Sequence, residues 1–88
     1  MTKNIDVKVD IKGGAGGVHL NFLVRTLDVS ATSVNQIQLD VGHHTVLVSG
    51  NAPSGGSLDL AILDGAKALT SGSYKDPVIL DFLPFDVL

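Results

Sequence analysis

The stretch NIDVKVDIK, residues 4–12, alternates polar and apolar side chains without a break. Ile5, Val7, Val9 and Ile11 fall on one side of an extended chain, and Asp6, Lys8, Asp10 and Lys12 on the other. Side chains in a strand alternate with a period of two, so this pattern describes a strand with one buried and one solvated face. A helix would scatter the same residues around its circumference.

The alternation recurs along the chain. Val18, Leu20, Phe22 and Val24 share one parity, after which the apolar positions shift to Leu27, Val29 and Ala31. A one-residue shift moves every side chain to the opposite face, so a bulge, bend or turn is expected near Arg25–Thr26. Ile37, Leu39 and Val41 alternate up to Gly42, and HTVLVS at 44–49 is strongly β-forming. The segment 51–57, NAPSGGS, reads as a loop.

Leu58, Leu60 and Ile62 alternate again before Asp64-Gly65. Leu58, Ile62, Ala66 and Leu69 also suit a helix capped by Ser57, but Gly65 inside it would cost about 1 kcal/mol. A strand followed by a hairpin turn is the preferred reading. Thr70–Ser73 is expected to be a loop, and Pro77–Leu83 a last strand.

Composition supports the strands. All nine acidic residues are Asp and Glu is absent, which removes a good helix former, while ten glycines favour tight turns. The expectation is one all-β domain over residues 1–88: a small antiparallel β-sandwich, Ig-like or jelly-roll-like, of six or seven strands.

Several functions are disfavoured. The net charge is −3 and the six basic residues are scattered, so the basic footprint of nucleic-acid binding is absent. No apolar run approaches the ~20 residues of a membrane-spanning helix. The start, MTKNIDVK, has no signal-peptide-like hydrophobic segment, as expected for a cytoplasmic protein or an excised domain. Without cysteine, disulfides and thiolate metal sites are ruled out.

The glycine run GGAGG at 13–17 lacks the third glycine of a dinucleotide fingerprint, since position 19 is His. The residues after the run, VHLNFLVR, are strand-like, whereas the fingerprint requires a helix. It is read as a hairpin loop between two strands. His43 and His44 are adjacent and point to opposite sides of a strand, a poor arrangement for chelating one ion even if His19 converges on them. No G-x-S-x-G elbow is present. No catalytic residue, metal or cofactor is therefore assigned, and the chain is read as non-enzymatic.

Two readings remain. The final segment, PVILDFLPFDVL, is apolar on both parities, as expected of a strand covered on both sides or set against another subunit. This favours a structural or protein-interaction module, a homo-oligomer or a partner-binding domain, with Phe82, Leu83, Phe85 and Val87 at the interface. The alternative is a carbohydrate-binding-like accessory domain using the glycine-rich loops at 13–17 and 50–57, with His43, His44 and Asn51 as ligand contacts. The single Tyr, three Phe and absence of Trp leave few aromatic faces for sugar stacking.

Overall fold

The computed structural model describes residues 2–23 and 25–88. Eight strands run in the order β1 (Thr2–Lys12), β2 (Gly17–Asn21), β3 (Thr26–Val29), β4 (Ser33–Asp40), β5 (Gly42–Asn51), β6 (Ser57–Asp64), β7 (Lys67–Tyr74) and β8 (Ile79–Val87). They form two four-stranded antiparallel sheets, β4-β1-β6-β7 and β3-β2-β5-β8, packed face to face as a small β-sandwich. The all-β expectation holds, with eight strands instead of six or seven.

The centre of the sandwich is an interlock. β1 pairs with β4 in the first sheet and β2 with β5 in the second, while the chain crosses between sheets from β1 to β2 and again from β4 to β5. The GGAGG run is therefore a crossover and not a hairpin. Its glycines are needed for close approach as well as for freedom at positive φ. Gly13, at φ +86°, would place a Cβ 2.7 Å from the Cα of Gly56, and a Cβ on Gly16 would lie 2.8 Å from the Asn51 carbonyl oxygen. Backbone meets backbone there, so the loops at 13–17 and 51–56 pack together at one end of the sandwich.

The parity shift after β2 is a turn. The Phe22 amide donates to the Arg25 carbonyl at 2.8 Å, and the Asn21 side-chain oxygen accepts from the Leu23 amide at 2.8 Å. Leu23 takes φ +73°. Val24, expected to continue the alternation, lies outside the described residues.

β6 and β7 form a hairpin in which Gly65, at φ +61°, takes the first central position, the place a II′ turn reserves for glycine. The strand reading of this region is correct. Thr70–Ser73 is not a loop, however, but part of β7. It is polar because β7 is an edge strand facing water, and Ser73 there donates to Asp59 of β6 at 2.6 Å. The last strand likewise runs to Val87 instead of ending at Leu83.

The core comes from the inward parity of each long strand. Ile5, Val7, Val9, Leu20, Val46, Val48, Leu58, Leu60 and Ile62 are essentially inaccessible. Phe22 and Phe85 meet edge to face with ring centroids 6.4 Å apart. Among the described residues no polar side chain is buried, so burial of apolar area carries the fold. Val41, expected to face inward with Ile37 and Leu39, is exposed at the β4–β5 crossover.

Candidate interaction face

The register of the second sheet dictates its outer surface. His43 lies opposite Asp86, Thr45 opposite Pro84, Leu47 opposite Phe82 and Ser49 opposite Leu80. On the other side of β5, Asn21 lies opposite Leu47 and His19 opposite Ser49, and Asp28 of β3 faces His19. The face is therefore graded. Its β2–β3 side carries His19, Asn21, Thr26 and Asp28, whereas its β5–β8 side carries Leu47, Leu80, Phe82 and Pro84, with Thr45 and Ser49 among them and His43 and Asp86 at one end.

The apolar side is exposed. Val78 is 76% accessible, Leu80 79% and Phe82 65%, so most of each side chain faces solvent. Leu88, at the chain end, is exposed just beyond the same strand. Scattered surface hydrophobes are ordinary, whereas Val78, Leu80 and Phe82 lie at alternate positions on one side of β8 and the residue before it.

The structure divides the four residues expected at an interface. Phe82 is on the outer face, whereas Leu83, Phe85 and Val87 point inward and are buried in the sandwich. The two sets have opposite parity, and each contains one Asp, Asp86 outside and Asp81 inside, so charge alone could not rank them. The exposed partners of Phe82 are Val78 and Leu80, and their shared parity with Phe82 is the signal that finds them.

The histidines do not converge. His43 Nδ1 lies 2.8 Å from Asp86 Oδ1, and His19 Nδ1 pairs with Asp28 Oδ1. His44 turns the other way, donating from Nε2 to the Asp40 carbonyl at 2.6 Å and stacking on Phe85 at 5.6 Å. Among the described residues no group of three or more His or Asp side chains could hold a metal ion. Nor do His43, His44 and Asn51 share a site. They lie at opposite ends of β5, and the eight-residue step from His43 to Asn51 spans roughly 26 Å.

One row has the order of a hydrolytic triad: Asp28, His19 and Ser49 sit side by side on β3, β2 and β5. It lacks the working geometry. His19 makes no hydrogen bond to Ser49, and the Asp28 side chain is 80% exposed where a triad carboxylate is buried. This row, with Ser30 and Asn51, borders a shallow hollow of about 400 Å³ beside the glycine loops.

The outer face of the first sheet is mostly polar, interrupted by exposed Val34 on β4 and by Ala61 and Leu63 on β6. Gln38 donates to Asn4 at 3.3 Å and Gln36 to Asp6 at 3.5 Å. Asp10 and Asp59 lie directly opposite each other in a hollow of about 390 Å³, with Lys8, Ser71 and Ser73 beside them. Each carboxylate is taken by a neighbour: Lys12 lies 3.5 Å from Asp10, and Ser73 holds Asp59.

The fold and this face define the chain as a small two-sheet antiparallel β-sandwich with an uncovered apolar strand face. Comparison with known proteins gives no matching family model, no similar curated protein and no similar solved structure.

Proposed function

We propose that this domain is a non-catalytic interaction module that associates with a second copy through the outer face of its second sheet, around Leu80 and Phe82. One observation carries the reading: of the exposed large hydrophobes, Val78, Leu80, Phe82 and Leu88 share one parity on β8 and its flanks, while Leu23, Val34 and Val41 stand apart from one another elsewhere. The strand uses its face and not its edge. Pro84 removes a backbone donor, and inward-pointing Asp81 on an edge strand opposes further strand pairing.

A second copy suits the face because the row from Val78 to Pro84 carries no outward charge. Two such rows meet about a two-fold axis without opposing like charges, as an isologous contact requires. Burying a Leu or Phe side chain contributes about 1.5–3 kcal/mol each, against an association cost of several kcal/mol, so the contact is weak and concentration-dependent.

The test is solution mass by light scattering across a concentration series. The chain should exceed its 9.1 kDa monomer mass, and Leu80→Ser/Phe82→Ser should lower that mass while staying folded. An unchanged mass in the double variant defeats the proposal.

A second reading rests on the hollow bordered by His19, Asp28, Ser49 and Asn51. Under it, the domain binds a small polar ligand, such as a sugar, beside the glycine loops. A melting-point rise with a sugar or anion, lost in Asn51→Ala, would favour it over the first.

A further inference from the structure

A sandwich has four edge strands, and here their protection is unequal. β8 carries Pro84 and the inward Asp81. β7 has a bulge at Leu69, and it packs against β8, with Tyr74 bonded to Asp81. β3 is only four residues long. Those features are the usual guards of a sheet edge.

β4 has none of them. It is eight residues long and pairs with β1 in unbroken register from Val9↔Ser33 to Thr2↔Asp40. It contains no Pro, Lys, Arg or bulge, and its only charge, Asp40, sits at its end. β3, the edge of the other sheet on that side, is half its length and barely meets it. Among the described residues, no strand pairs with the backbone donors and acceptors on the free side of β4.

We infer that the free edge of β4 is a second association site, which pairs antiparallel with β4 of another copy to give one continuous eight-stranded sheet. The sequence SVNQIQLD suits its own reversal about Ile37. That register sets Gln36 opposite Gln38 of the other copy, on the outer face. A carboxamide is both donor and acceptor, so two glutamines complement each other where two lysines or two aspartates would not. The Asn4–Gln38 and Asp6–Gln36 contacts would extend into rows running across the seam. The same register keeps the two Asp40 carboxylates roughly 20 Å apart along the strand, beyond the ~8–10 Å screening length. Inside, Ile37 meets Ile37 and prolongs the apolar layer.

This inference stands on β4 alone and does not rest on the outer-face reading. Two different two-fold contacts on one chain generate assemblies larger than a dimer. The test measures solution mass for the chain, for Gln36→Lys/Gln38→Lys, for Leu80→Ser/Phe82→Ser and for the four-fold variant, each checked for folding by circular dichroism. Lysines at 36 and 38 face solvent in the monomer but oppose each other across the seam.

The expected result is that the glutamine variant falls to twice 9.1 kDa, the β8 variant likewise, and the combination to 9.1 kDa. Amide exchange gives an independent readout. Slowing with concentration should be confined, within β4, to alternate residues, the ones whose N–H groups face the free edge. A folded glutamine variant with the mass of the parent chain, or β4 exchange independent of concentration, overturns the inference. A β8 variant that is already monomeric overturns it too, while leaving the outer-face reading intact.

Discussion

The Tyr74 hydroxyl donates a 2.8 Å hydrogen bond to Asp81, joining the edge strand of one sheet to the edge strand of the other. Gly72 makes this closure possible. It lies two residues before Tyr74 on the same side of β7, and a Cβ there would sit 2.8 Å from the phenol Cζ. The ring folds back over the space a side chain would fill. The bond shuts one side of the sandwich, and the opposite side, between β3 and β4, has no counterpart among the described residues.

Gly72→Ala is therefore expected to destabilise by about 1–3 kcal/mol through overpacking against the ring. Tyr74→Phe should cost about 1 kcal/mol, the net worth of the lost hydrogen bond. Denaturant titration also gives the coupling: in a Tyr74→Ala background the Gly72→Ala penalty should vanish, because the clashing partner is gone. Simple additivity of the two would show that the ring does not lie over Gly72.

Partial burial raises the Tyr74 pKa well above its ordinary value of 10.0, and the hydrogen bond to Asp81 and that carboxylate's charge add to the shift. Below pH 10 the phenol is neutral in both folded and unfolded chains and adds no pH dependence. Above it, the unfolded chain releases a proton that the folded chain keeps, so stability falls as pH rises. Tyr74 is the only tyrosine and there is no Trp, so phenolate absorbance reports it alone. The folded chain should titrate above the denatured chain, and Asp81→Asn should bring the two midpoints closer.

The parity of β8 separates its two roles. Phe85→Ala removes a buried ring that packs on Phe22 and His44, and should cost about 3–5 kcal/mol. Phe82→Ser should change stability by no more than about 0.5 kcal/mol. Equal losses in chemical denaturation would show that Phe82 is also core.

Leu23 occupies φ +73° and is 74% exposed, so its side chain gives little packing in return for backbone strain. The left-handed conformation costs a non-glycine residue about 1–2 kcal/mol, and glycine's greater freedom when unfolded gives back about 0.5–1. Leu23→Gly should raise the melting temperature slightly. Leu23→Pro, whose ring locks φ near −65°, should lower it sharply.

The legibility of the fold followed the apolar alternation. β1 pairs an apolar face with a polar one, and β6 does the same except at outward Ala61 and Leu63, so their inward residues could be named from the pattern alone. β7 was hidden because an edge strand that presents Ser71 and Ser73 to water has the composition of a loop. β8 was ambiguous because both of its faces are apolar, and the interface set mixed the two parities. The period of two already put adjacent His43 and His44 on opposite faces of a strand, whereas only the register gave His43 its partner Asp86 on β8.

By itself the sequence determined where the chain extends, which side of β1, β2 and β6 is buried, and that Gly65 makes a turn. Those are local properties, set by a period of two and by the φ each residue tolerates. The tertiary structure alone decided that GGAGG crosses between sheets, that Phe82 faces out while Phe85 faces in, and that Tyr74 meets Asp81. The physical reason is that alternation describes two sides of a strand without naming the strand beside it. Partners are chosen by packing the two sheets together, and that choice settles which edges are closed and which remain open.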